Sequence, residues 1–406
     1  MPSGNELWPI LVRMIHAANG LAEWLMTYAI HSTLLIGGLL VFTWTAAGRR
    51  VVAGHGSWLW RFALVGALVT ASLQSIRSAA PLSGTLRVDA GARARTTVRV
   101  EIKEQTIAVA PLTREPRRVV ANASVDVNPV WPLIALGAWF VVAATLLGWF
   151  LHARSRFLRA IGPRPNAGHT LAGNALRYLQ REGRINRRIQ LTQSARLTSP
   201  VALGDDEICL PARALAELDP IRLESILAHE LAHLVRRDPT WLTIARVIEA
   251  IFFFQPLNVL ARRRMQESAE FASDAWASAR VSRPLDLAHC LARVAEWTIA
   301  APRLSVPAMA ERRGAVLVRR VERLTTGRVT PETTPGRGLR LTGAVALLGL
   351  ILMAPRAAIG AERAEGRLFD ARVGGARAFL MLRDSEERSA GTRGGNVRAV
   401  VYRMRQ

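Results

Sequence analysis

His229-Glu230-Leu231-Ala232-His233 is the stretch that organises the reading of this chain. Apolar residues recur around it at helical spacing (Ile221, Leu223, Ile226, Leu227, Leu231, Leu234), so a helix is expected here. On a helix, residues four apart share a face, one turn above the other. His229 and His233 can therefore offer their imidazole nitrogens to one metal ion. Glu230 points about 100° round the helix, beside the ion rather than on it, where it can take a proton from water.

The flanking sequence sets the frame. Asp219-Pro220 supplies an N-cap and a proline at the first helical position, so the motif helix is expected over 220–237. Asp238-Pro239 repeats the signal, ending that helix and capping an apolar one over 240–254. Pro256 opens a third helix, which carries Glu267, Glu270 and Asp274. A catalytic zinc takes three protein ligands and keeps one position open, so the two histidines need a further donor. Glu270 is the preferred one. Asp274, four residues on and on the same face, is placed to orient a ligating histidine through a hydrogen bond. Glu267 lies on nearly the same face and is the second choice. The competing reading is an acidic stripe neutralised by Arg262, Arg263 and Arg264; the adjacent motif helix favours ligation by Glu270.

Several motifs follow one another in a recognisable order. They are Ser199-Pro200-Val201-Ala202-Leu203-Gly204, Ile208-Cys209-Leu210-Pro211, the His229–His233 motif, Arg236-Arg237-Asp238, Phe252-Phe253-Phe254-Gln255-Pro256 and Glu270-Phe271-Ala272-Ser273-Asp274. Over 199–294 the chain resembles the BlaR/MecR-type membrane metallopeptidases, the antirepressor signal transducers. The resemblance implies a gluzincin-like domain binding Zn2+ through His229, His233 and Glu270, with Glu230 as general base. Three positions depart from the family pattern: Gln255 replaces a usual histidine, Leu242 a common asparagine and Ser273 a frequent cysteine. BlaR-type sensors end in a penicillin-binding domain with a nucleophilic serine. The tail here has no Ser-x-x-Lys, and Lys103 is the only lysine of the chain, so β-lactam sensing is not expected to carry over.

Half of the residues are hydrophobic, and they fall in blocks. Residues 25–47 hold no Asp, Glu, Lys or Arg and are long enough to cross a bilayer; 127–152 form a second such block. Residues 57–76 are interrupted only by Arg61, near enough to the end to snorkel. The block 341–355 is shorter and needs its flanking arginines or a thinned bilayer. Residues 1–23 lack the basic start and short apolar core of a cleaved signal peptide. Arg49, Arg50, Arg154, Arg156, Arg159 and Arg164 favour a cytoplasmic face for the region holding the motif. The expected fold class is a mainly α membrane protein with about four transmembrane helices and a cytoplasmic α+β zinc metallopeptidase domain. Its parts are 1–76 with the first two spans, a 77–128 extracytoplasmic loop, a span at 129–152, the zinc domain at 153–339, a span at 340–356 and a short extracytoplasmic tail at 357–406.

Inside the zinc domain, 187–194, 201–203 and 208–210 read as short strands before the motif helix, one of whose edges could bind extended substrate. Residues 285–300 read as an amphipathic helix; its His289 is more simply a packed or exposed residue than an oxyanion donor. Residues 326–337 read as a linker. Cys209 and Cys290 are expected reduced and unbridged. Outside, 98–103, 378–383 and 397–404 have strand character, and 114–126 reads as loop. The net charge of +23 comes from dispersed arginines without a nucleic-acid motif, which argues against direct nucleic-acid binding and for a surface near anionic lipid heads. These readings converge on a multi-pass inner-membrane zinc endopeptidase that cleaves a cytoplasmic protein, by the resemblance a repressor, in response to a signal. A non-proteolytic receptor or scaffold that keeps the zinc fold and a membrane quality-control protease are the alternatives. A homo-oligomer or a separate sensor partner fits either.

Overall fold

The structure is a computed structural model that describes residues 4–76, 84–88, 97–99, 122–124, 131–281, 284–300, 307–327, 335–359, 370–373, 376–382 and 399–403. In chain order its elements are α1 (Gly4–Trp44), α2 (Ala46–Ile76), β1 (Thr85–Val88), β2 (Thr97–Arg99), β3 (Asn122–Ser124), α3 (Trp131–Ile161), α4 (Leu171–Glu182), β4 (Gln190–Ser194), β5 (Val201–Leu203), β6 (Glu207–Pro211) and α5 (Ala212–Glu217). Then follow α6 (Pro220–Val235), α7 (Asp238–Ile251), α8 (Pro256–Ser278), α9 (Pro284–Ala300), α10 (Pro307–Thr325), α11 (Arg337–Met353), β7 (Arg356–Ile359), β8 (Asp370–Val373), β9 (Ala376–Leu382) and β10 (Ala399–Arg403).

Three helical segments among the described residues are long and apolar enough to cross a membrane: Ala17–Trp44, Ala46–Ile76 and Leu133–Ile161. The fourth apolar block forms α11, whose 17 residues fall short of the ~20 that a membrane crossing usually takes. Glycines let α11 come close to α2. A Cβ at Gly66 would meet Leu347 at 2.9 Å, and one at Gly343 would meet Phe62 at 3.1 Å. Gln74 of α2 donates to the carbonyls of Ile351 and Ala354, closing the end of α11. Its own carbonyl faces His31 of α1, which also contacts Thr70, so the polar groups between these helices find partners.

Residues 20–86 and 135–357 form one compact unit. It has two apolar clusters. One joins the membrane-type helices to the helices that follow the motif: Tyr28 and Ile36 of α1, Trp60 and Leu64 of α2, Ala245 and Ile248 of α7 and Met265 of α8 pack together. Tyr28 stacks on Phe252 at 3.7 Å between ring centres. The other cluster builds the small α+β layer, with Leu176 and Leu179 of α4, Leu191, Ile208 and Leu210 of the sheet and Ile226, Leu227, Leu231 and Leu234 of α6. The sheet order is β4-β6-β5. The β5–β6 pair is antiparallel, turning at Gly204, whose φ of +60° suits glycine. The β4–β6 pair is parallel, a direction that strand spacing alone does not give.

Of the remaining unit, β2 pairs antiparallel with β3 and β8-β9-β10 form an antiparallel meander. Of the strand character expected at 98–103, 378–383 and 397–404, β2, β9 and β10 carry residues 98–99, 378–382 and 399–403; 100–103, 383, 397, 398 and 404 lie outside the described residues. The loop expected over 114–126 contains strand β3 at Asn122–Ser124, where polar residues pair through their backbones; 114–121, 125 and 126 lie outside the described residues. In the 326–337 segment, 328–334 also lie outside them.

Candidate metal centre

Helix α6 starts where the Asp-Pro signal places it. The Asp219 carboxylate accepts the Arg222 N–H at 2.9 Å, and Pro220 occupies the first turn. The helix is buried from Leu223 onward on its core face, and that face carries the motif. His229 and His233 stand one turn apart, their rings nearly perpendicular and their Nε2 atoms 3.2 Å from each other. Two nitrogens on one tetrahedral zinc at ~2.05 Å would sit ~3.3 Å apart, so the pair is already spaced for a shared ion. Packing of α8 against α6 brings Glu270 to them, with Oε2 3.6 Å from His229 Nε2 and Oε1 4.0 Å from His233 Nε2. The three offer ligand atoms within 4.8 Å of one another, the one such His/Cys/Asp/Glu cluster among the described residues. The donor set, two neutral-capable imidazoles and a carboxylate with one side left over, suits a hydrolytic zinc. Glu230 is buried beside them at 8% exposure, on the next face of α6.

Each histidine is backed by an aspartate through Nδ1, which leaves Nε2 to face the cluster. His229 Nδ1 lies 3.1 Å from Asp274 Oδ1, the contact expected from the Glu-x-x-x-Asp spacing. His233 Nδ1 lies 2.8 Å from Asp238 Oδ2, which the sequence reading assigned only to capping. Asp238 is instead the first residue of α7. The turn before it is made by Arg237 in the left-handed region (φ 54°), which swings the Asp238 carboxylate back against His233.

Arginines complete both sides. Asp238 is ion-paired with Arg61 and Arg236. Arg61 also donates to the Arg236 carbonyl at 3.2 Å and stacks over Trp241. The expected snorkelling of Arg61 is therefore corrected: at 15% side-chain exposure it turns inward, because a buried carboxylate is a better partner than a distant headgroup. Arg236 reaches α8 as well, donating to Ala269 O at 2.7 Å and Ser273 Oγ at 3.2 Å. On the other side, Arg320 of α10 holds Asp274 through two donors, at 2.8 and 2.7 Å, and Glu270 Oε2 at 2.8 Å. Its Nη2 is nearly equidistant from His229 Nε2 and Nδ1, at 3.2 and 3.4 Å. It thus lies beside the ring and off the axis of either lone pair. The sequence reading missed Arg320 entirely; it lies 91 residues from His229, with no periodicity to link them.

The charges shift the titrating groups together. Burial and Arg320 push His229 down, but hydrogen bonds to Asp274 and Glu270 and the charge of Asp274 outweigh them and lift it to about 9. Burial would raise Glu270, yet Arg320, the His229 hydrogen bond and both imidazoles hold it well below the usual carboxylate range. Asp274 and Asp238 are lowered likewise against the effect of burial, the first mainly by Arg320, the second by the His233 hydrogen bond and Arg236.

The other candidates separate cleanly. Glu267 faces Arg319 at 2.5 Å and Arg264 at 3.3 Å, outside the cluster, so for this residue the paired acidic stripe is what the fold provides. Arg262 pairs instead with Glu249 at 2.5 Å. His289 is exposed on α9 and is not among the residues gathered at the cluster. Cys209 and Cys290 are buried free thiols. Gln255 caps α8 and donates to Ala29 O, Ser32 Oγ and Thr33 Oγ1 of α1, while Leu242 packs into the cluster around Phe252.

No curated protein matches the chain. Residues 24–285 match the family described as BlaR1 peptidase M56, a stretch that contains α2, the small sheet, the motif helix and Glu270 but ends before Arg320. With that match over more than half its length and a His/His/Glu cluster at its centre, this chain belongs to the BlaR1 peptidase M56 family of membrane metallopeptidases.

Proposed function

We propose that the protein is a membrane zinc endopeptidase that cleaves a cytoplasmic protein, a transcriptional repressor being the substrate best suited to the family, in response to a signal. The observation that carries this reading is the convergence of His229, His233 and Glu270 on one point, with Glu230 buried alongside. When bound, zinc supplies Lewis acidity for the scissile carbonyl and for water. His229, His233 and Glu270 would hold it. Asp274 and Asp238 keep both histidines in the tautomer that presents Nε2. Glu230 takes the proton of the attacking water and hands it to the leaving amine. The arginines after α3 and around the α1–α2 turn support a cytoplasmic position for this site. The stimulus would come from a sensor other than a penicillin-binding domain.

Glu230→Gln tests the enzyme. The change keeps size, helix and ligands but removes the base, for which a loss on the order of 10²–10⁴ in rate is expected. The variant should insert, bind zinc and leave uncut the one cytoplasmic protein whose cleavage distinguishes wild-type cells in a proteomic comparison. Normal signalling by this variant would favour a receptor that keeps the zinc fold without using it for proteolysis.

A further inference from the structure

Between the α1–α2 turn, α8 and α10 lies a cavity of about 510 Å³, separate from the metal ligands. Four arginines line it: Arg49, Arg264, Arg319 and Arg323. Glu267 is the one acid among its described lining residues, and it already faces Arg319 and Arg264. Arg323 stands over Phe271, its Cζ 4.3 Å from the ring centre, a cation–π contact that fixes where its guanidinium sits. The cavity therefore carries excess positive charge on groups that fit phosphate oxygens in pairs.

Its place in the fold narrows the ligand. Trp44 ends one membrane-length helix, and α2, the next, begins two residues later, so this turn is where the chain leaves the apolar slab. Trp44 also lines the cavity and is 76% exposed, the setting of a tryptophan at headgroup level. The floor is firm, because α2 and α8 touch there: a Cβ at Gly56 would meet Ser268 Oγ at 2.7 Å.

We propose that this cavity binds a phosphate-bearing anion, the headgroup of an acidic phospholipid. Arg319 and Arg323 stand on α10 on either side of Arg320, the residue that grips Glu270 and Asp274. A bound headgroup would hold α10 in the register that delivers Arg320 to the metal centre. The binding claim does not depend on the peptidase reading, since it concerns a different cavity.

The test uses the purified full-length protein in detergent and native mass spectrometry, with phosphatidylglycerol and phosphatidylcholine as probes. Wild type should retain one phosphatidylglycerol per chain in preference to phosphatidylcholine. The double variant Arg49→Gln/Arg323→Gln should bind it on the order of 30-fold more weakly, about fivefold per arginine. Val52→Phe fills the cavity without removing charge and should also lose the lipid; an unchanged circular-dichroism spectrum and melting temperature confirm that either variant is folded. Equal retention of both lipids, or unchanged binding in both variants, overturns the site. Displacement of the retained lipid by millimolar inorganic phosphate overturns the lipid assignment in favour of a soluble phosphate compound.

Discussion

The two sides of the metal centre are built alike and anchored differently. On each, an imidazole Nδ1 meets a buried aspartate, and that aspartate meets a guanidinium. On the His229 side both supports come from outside the motif helix: Asp274 from α8 and Arg320 from α10. Arg320 also holds Glu270, so one cation steadies both carboxylates that face His229. On the His233 side the aspartate is local, five residues on, but its counter-charge Arg61 sits in a membrane-length helix 177 residues away. His229 is thus braced by α8 and α10, whereas the support of His233 combines the local Arg236 with Arg61 from a membrane-length helix. The difference teaches that charge pairing, and not only apolar packing, couples the membrane helices to the chemistry.

Substituting the aspartates probes that contrast most strongly. Asp238→Asn leaves Arg61 and Arg236 facing a neutral amide, whereas Asp274→Asn leaves Arg320 still paired with Glu270. Both should weaken zinc binding within roughly 10–100-fold, Asp238→Asn at the upper end. Chelator competition on the two purified variants measures it; the opposite order would mean that Arg320 matters more than the membrane arginine. Next in size is Arg61→Gln, which should cost roughly tenfold in zinc affinity by leaving Asp238 to Arg236 alone, with His229 unaffected. If zinc affinity is untouched while the protein remains folded, the bilayer side of the comparison carries no positional role.

A smaller effect concerns the proton on His229. His229 is lifted to about 9, so at pH 7 it is protonated before the ion arrives. A ligating imidazole must be neutral, so zinc uptake at pH 7 releases its proton, and affinity rises with pH up to about 9. Calorimetry in buffers of differing ionisation enthalpy should register this release; buffer-independent heats would contradict it. Least of all, Glu267→Gln should leave zinc content unchanged, since its ion pairs lie away from the ligands and partly exposed pairs contribute little. Loss of metal in that variant would move the third ligand by a turn.

Much of this centre could be read from local sequence. The motif helix, the helix carrying Glu270 and the short strands follow from periodicity, Asp-Pro and Gln-Pro boundaries and alternation, all of which act over a few residues. Asp274 was legible because helical spacing fixes its face relative to Glu270. Asp238 was half legible: its position at a helix start is a local signal, but its use by His233 depends on the left-handed turn at Arg237, which no propensity favours in an arginine. Arg61 and Arg320 were not legible as partners. Among so many dispersed arginines, the two that reach the site are chosen by tertiary packing, over separations where sequence carries no period.

Gln255 gives the architecture a mechanical meaning. Its amide is fastened to three groups on α1 while its carbonyl receives the first turn of α8, so the start of that helix is tied to α1. Glu270 rides 15 residues further along, about 22 Å from that tie at 1.5 Å per residue. A swing of about 5° on an arm of that length carries the carboxylate about 2 Å, roughly one zinc–oxygen bond. With Glu270 as a ligand, a slight tilt of α8 against α1 would be enough to make or lose one metal–oxygen bond.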